Sequence, residues 1–244
     1  MPLRLIIARH GNTFESGEAP RRVGARTDMP LTSRGRDQAH TLGRDLSIKF
    51  GQINKIYAAP LLRTQQTAEI AASEMAHPPL IETLDFLREV DHGPDENKSD
   101  DIIAARLGPQ ALPRWDKDLI MPDDWSPRPS DILKSWQLFL DHLIQDYEGA
   151  CRSLSPASTL TSQTVLVVTS NGIARFAPLA VLKPSRIQDS HTGNYRNNED
   201  MGGANSLAPL LAQLSVPSLR LATGAYGEMS YDDTKWVLID WNRS

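Results

Sequence analysis

Residues 3–13 read LRLIIARHGNT, an apolar run that ends abruptly in Arg9-His10-Gly11. A cation, a potential nucleophile and a permissive backbone position therefore meet at one point. Further on, LLRTQQTA places Arg63 in the first turn of a predicted helix. Free backbone N–H groups at a helix start, joined by a guanidinium, suit a phosphate. Leu87-Arg88-Glu89 then sets a carboxylate after another short apolar run, where a general acid could sit. Each feature also has a plainer account. His10 could cap a strand with Arg9 on a surface carboxylate, and Glu89 could pair with Arg88.

The elements that must hold these residues follow from periodicity. Residues 3–9 suit a buried β-strand, and the carboxyl end of such a strand is where open α/β sheets bind ligands. A polar loop follows to Pro30. Thr32 then reads as the N-cap of a helix carrying Ala39, Leu42, Leu46 and Phe50 at helical spacing, with Gly51 as its C-terminal stop. Residues 53–59 predict a second strand and 61–75 a second helix, an order that implies right-handed crossovers and a mainly parallel sheet. Residues 91–131 turn polar and proline-rich, an excursion with short helices that would roof the strand ends. Residues 132–147 predict a helix, 164–169 (TVLVVT) a core strand ending in Ser170-Asn171-Gly172, and 173–182 another helix. Residues 184–205 read as a polar loop or lid and 206–214 as a short helix. Residues 219–223 and 235–241 read as late strands. The expected architecture is one α/β domain over residues 1–244, a three-layer sandwich with insertions at about 91–131 and 184–205.

Composition narrows the function. The 244 residues carry a net charge of -4, which offers no global basic field for a nucleic acid. Locally, Arg9, Arg21, Arg22, Arg26, Arg34 and Arg36 crowd the first strand and the segment after it, which suits a small anion or a solvated loop. Cys151 is the single cysteine, so no intrachain disulfide exists. No stretch approaches the ~20 apolar residues of a membrane span. Met-Pro-Leu-Arg runs straight into a strand without a signal peptide, and the cytoplasm is the expected compartment.

RHGNT, GARTDMPLTSRGRDQA, YAAPLLRTQQTA and LREVDHG, in this order, resemble the histidine phosphatase superfamily, the phosphoglycerate mutase-like fold. The resemblance covers most of residues 3–93, and TVLVVTSNGIAR, TGAYG and KWVLIDWN fit later in order. It implies that His10 attacks phosphorus and carries a phosphohistidine. Arg9 and Arg63 would bind the phosphoryl oxygens, and Glu89 would protonate the leaving oxygen and then deprotonate water. It further implies substrate contacts from Gly11, Thr13, Arg26, Ser170 and Asn171, with no metal and no cofactor.

The chain also departs from the pattern. The family usually has a second histidine in a Ser-His-Gly context, and aligning VVTSNG on it places Ser170 in the histidine's slot. A charge-assisted hydrogen bond is worth ~1.5–3 kcal/mol against ~0.5–1.5 for a neutral one. Turnover is therefore expected to fall roughly tenfold to a few hundredfold. His92, near Glu89, and His191, in DSHTGNY, are candidates to compensate, although a solvent-facing role is the plainer account of His191. Ser16 and Val23 stand where mutases tend to carry asparagine and serine, and Val-Asp-His-Gly follows Glu89 in place of Arg-x-Tyr-Gly. The expected activity is metal-independent hydrolysis of a small phosphomonoester through His10, with neither nucleic acid nor membrane as partner and the oligomeric state left open. The alternatives are a phosphoglycerate mutase-type phosphotransferase and, because of Ser170, a weakly active or inactive phosphate-ligand-binding protein.

Overall fold

The computed structural model describes residues 3–153, 162–182 and 207–244; the 184–205 loop and His191 lie outside them. Strand β1 (Leu3–Arg9) is buried on both faces, which is why its sequence is a nearly unbroken apolar run. Leu3, Leu5 and Ile7 enter one apolar cluster, and Ile6 and Ala8 enter another. Helix α1 (Ser33–Phe50) begins where the Thr32 hydroxyl accepts the Gly35 N–H at 3.1 Å, and it ends at Gly51 with φ of 71°. Strand β2 (Lys55–Ala58), helix α2 (Leu62–Ser73) and the short strand β3 (Ile81–Thr83) follow.

Two single 3-10 turns, Asp85–Leu87 and Gly93–Asp95, lead into α3 (Asp100–Leu107) and α4 (Ala111–Asp118). This excursion is polar outside but buries Trp115 and Trp125 within. The long helix α5 (Pro129–Arg152) carries the expected stripe of Trp136, Phe139, Leu140 and Leu143 onto the first cluster. Strand β4 (Gln163–Thr169) follows. The helix expected over 173–182 is instead two single turns, α6 (Asn171–Ala174) and α7 (Ala177–Ala180). Pro178 has no N–H to continue the ladder, which ends the first turn.

Helix α8 (Ala208–Leu214) and strands β5 (Tyr226–Tyr231) and β6 (Trp236–Arg243) complete the described chain. The strand expected over 219–223 is absent. Leu219 and Leu221 are buried and produce the alternation. The backbone of Leu221 and Ala222 goes to side chains, however: Leu221 N–H donates to Asn171 Oδ1, Ala222 N–H to Asn242 Oδ1, and Leu221 C=O accepts from Arg9.

The sheet order is β3-β2-β4-β1-β5-β6, with the first four strands parallel and β5 and β6 antiparallel to their neighbours. Helices α1 and α2 cover the face built on Ile6 and Ala8, while α3 to α7 cover the other. This is a three-layer α/β sandwich. The chain leaves β1 toward one face and β4 toward the opposite one, so a crevice opens between their paired tips, Arg9 and Thr169. No helix among the described residues is long and apolar enough to cross a membrane.

Candidate active site

The crevice assembles its walls by backbone bonds. His10 N–H donates to Thr169 C=O at 3.0 Å, tying the β1 tip to the β4 tip. Thr169 Oγ1 donates to Leu87 C=O at 2.6 Å, fixing the segment that bears Glu89. Gly11, which the resemblance implied as a substrate contact, is not in the cavity lining and packs against the first turn of α1. A Cβ there would stand 2.2 Å from Gly35 C=O, so Gly11 lets the loop seat against the first turn of α1. Its N–H is held by Thr67 Oγ1 at 3.1 Å.

His10 Nδ1 lies 2.7 Å from Gly11 C=O. A carbonyl only accepts, so Nδ1 carries the proton and Nε2 keeps the lone pair. Burial, followed by the charges of Arg63 and Arg9, holds the His10 pKa well below that of a free imidazole. Arg63 is buried at the start of α2 and donates to Thr27 C=O at 2.8 Å and to Gly24 C=O at 3.1 Å. Asp28 occupies that helix start, accepting Leu62 N–H at 2.6 Å. Arg9 donates to Leu221 C=O at 2.8 Å, and burial draws its pKa down to about 10, leaving it charged at neutral pH.

Both oxygens of Glu89 are fixed, Oε1 by Val90 N–H at 2.8 Å and Oε2 by Gly172 N–H at 3.1 Å. A Cβ on Gly172 would lie 2.1 Å from Oε1, so SNG needs its glycine to admit the carboxylate. Asn171 accepts Leu221 N–H on Oδ1 at 2.9 Å, which leaves its amide N–H groups as donors.

A cavity of about 380 Å³ is lined by Arg9, His10, Thr13, Arg63, Glu89 and Asn171 among the residues singled out from sequence. Gly11, Arg26 and Ser170 fall outside this lining. Arg26 turns to Asp91 Oδ1 at 2.9 Å and to Gly93 C=O, so the loop cation serves the roof. Ser170 is fully buried and its Oγ has no hydrogen-bond partner among the described residues. One carbon and one oxygen do not span the distance an imidazole would. Of the clustered loop arginines, Arg21 and Arg22 line the cavity, whereas Arg34 and Arg36 do not.

Sequence reasoning missed Trp115, Arg175 and Arg220 in the lining. Arg175 follows Asn171 by four residues, one helical turn, and so returns to the same face. That spacing was the available signal. Arg220 sits between the buried Leu219 and Leu221, which turns it outward. His92 also lines the cavity, buried against the Trp125 ring with centroids 4.3 Å apart; burial lowers its pKa, opposed by Glu89 and Glu96. Among the described residues, no group of three or more His, Cys, Asp or Glu is disposed to hold a metal ion.

The family and the fold are shared with known proteins. A family model described as "Histidine phosphatase superfamily (branch 1)" matches residues 5–194. "Probable phosphoglycerate mutase GpmB" of Salmonella typhi is 37% identical over 102 residues, 41% of this chain and 44% of that protein. The chain thus spans under half the length of the curated relatives it matches. The mycobacterial glucosyl-3-phosphoglycerate phosphatase has the same fold, with a TM-score of 0.71 at 19% identity and both chains covered in full. Phosphoserine phosphatase of Entamoeba histolytica, solved with 3-phosphoglyceric acid, superposes with a TM-score of 0.65 at 18% identity, covering 99% of this chain and 98% of its own.

Proposed function

This chain belongs to the histidine phosphatase superfamily, and from that membership we propose that it hydrolyses phosphomonoesters through a phosphohistidine on His10, without a metal ion. The observation that carries the reading is the state of His10. Its Nδ1 proton is committed to Gly11 C=O, while burial between Arg9 and Arg63 keeps the ring neutral. Nε2 is therefore a lone pair in a cavity whose walls are cationic, the condition an imidazole nucleophile needs.

In the first step Nε2 attacks phosphorus, the P–O ester bond breaks, and the Glu89 carboxyl proton passes to the departing oxygen. Arg9 and Arg63 take the charge spread over the equatorial oxygens, work that preorganised cations in a buried site perform with little rearrangement. In the second step Glu89 takes a proton from water. The new hydroxide attacks phosphorus, the P–N bond breaks, and phosphate leaves with Nε2 restored. The two backbone N–H groups on Glu89 hold it in one place for both transfers.

The test is labelling with a radiolabelled phosphoester. A label that is stable in base, labile in acid and missing in His10→Ala is expected; no label and no turnover of any ester would sink the reading. Return of the phosphoryl group to substrate is a second reading, favoured by the mutase-named relative over its 102 matched residues. Interconversion of phosphoglycerates in preference to phosphate release would establish it.

A further inference from the structure

Four arginines in the cavity lining, Arg9, Arg63, Arg175 and Arg220, have no carboxylate paired with them among the described residues. Two of these are accounted for by the phosphoryl group. Arg175 is not. Its guanidinium is 2% exposed, lies over the Trp115 ring at 4.3 Å, and donates from Nη1 to Trp115 C=O at 3.2 Å and Asp116 C=O at 3.1 Å. Its Nε has no hydrogen-bond partner among the described residues. A buried cation held by carbonyls and a ring alone is costly to keep.

The nearby carboxylates are already committed. Arg22 binds Asp116 through Nη1 and Nη2 at 2.9 and 2.8 Å, and Asp100 through Nε at 2.8 Å. The Asp116 carboxylate is hydrogen-bonded to Arg22, so it supports Arg175 by its charge alone and hydrogen-bonds it only through the backbone carbonyl. Arg220 stands exposed in the same wall, close enough that its charge is felt by Arg9 and Arg175 alike.

Position separates the two sets. Arg9 and Arg63 flank His10, whereas Arg175 closes the short turn whose Gly172 N–H is bonded to Glu89 Oε2 at 3.1 Å. Glu89 is the proton donor to the leaving oxygen, so Arg175 lies on the side from which the alcohol departs.

We propose that Arg175 and Arg220 form a second anion subsite, and that the substrate is a phosphomonoester whose alcohol carries a further oxyanion. This rests on the phosphoryl reading of His10 and adds the class of leaving group. The planar Arg175, braced on Trp115 and two carbonyls, is preorganised for such a group.

Three esters on one three-carbon skeleton test it: propyl phosphate, 3-phosphooxypropanoate and propane-1,3-diyl bisphosphate. Wild-type kcat/KM is expected to favour the two anionic esters by about ten- to a hundredfold, and their order tells carboxylate from phosphate. Arg175→Gln should collapse that ratio toward one. Arg220→Gln, at an exposed position, should reduce it as well and decides the matter if the buried variant does not fold. An active wild type with a ratio near one overturns the subsite and leaves His10 chemistry standing. So does a ratio undiminished in a folded variant. If no ester turns over, the hydrolase reading fails. Calorimetric affinities of wild type for propyl phosphate and 3-phosphooxypropanoate then decide the subsite, and equal affinities overturn it.

Discussion

Replacing Gly172 by alanine tests the assignment of Glu89 without touching a side chain that bears chemistry. The added Cβ would stand 2.1 Å from Glu89 Oε1, where ordinary contact begins at 3.4 Å, so the carboxyl must withdraw by about 1.3 Å. That movement also strains the 3.1 Å bond from Gly172 N–H to Oε2. Misplacing a catalytic group by about 1 Å costs on the order of 10²-fold. With an alkyl phosphate, whose leaving oxygen needs the proton, kcat should therefore fall roughly a hundredfold. With an aryl phosphate that leaves unaided, phosphorylation of His10 should remain fast and only hydrolysis of the phosphoenzyme should slow. Rapid-quench measurement with the aryl ester should then show a burst of one phenol per site followed by a slow steady state. Wild-type kcat on the alkyl ester, in a variant with unchanged melting temperature, would refute the role of Glu89.

Other consequences follow from the same contacts. Gly11→Ala places a Cβ 2.2 Å from the Gly35 carbonyl, a backbone atom that cannot swing aside; a loss of about 1–3 kcal/mol is expected in urea unfolding, and an unchanged midpoint would contradict the close approach. His10 and His92 both have pKa values lowered by burial, so the unfolded chain binds more protons and stability is lost as pH falls below about 6.5. His10→Asn should flatten the dependence of melting temperature on pH between 7 and 5, and an identical slope would argue against a neutral buried His10. For the same reason, the acid limb of kcat/KM should lie well below pH 6.5, and a limb at 6.5 would assign the nucleophile elsewhere.

Much of this was legible in the residues. The β1 and β4 runs and the Thr32 and Gly51 caps follow from local pattern because burial and capping act over a few residues, whereas the Arg9-His10-Arg63-Glu89 set comes from the order of the motifs in the family resemblance. What escaped was non-local. Leu219 and Leu221 alternate like a strand, yet the backbone of Leu221 is bonded to the side chains of Arg9 and Asn171, and that of Ala222 to Asn242. Strand β5 reads YGEMSY, too polar for an inner strand, because Glu228 at its centre is met by Lys49 and Arg4 from distant elements. The place of Ser170 in the motif suggested a phosphoryl donor, but its Oγ is buried and has no hydrogen-bond partner among the described residues, while Arg175, one turn after Asn171, reaches the cavity.

The Arg22 clasp has a consequence for how binding and folding are joined. One guanidinium near the start of the chain holds Asp100 and Asp116, 78 and 94 residues away, and the cavity it closes draws on segments from Arg9 to Arg220. No fragment shorter than residues 9–220 contains the whole lining. Ligand occupancy is therefore a report on the entire native state, and free ligand at a hundredfold excess over Kd would deepen the native well by about 2.7 kcal/mol. The melting curve becomes a binding assay that needs no turnover.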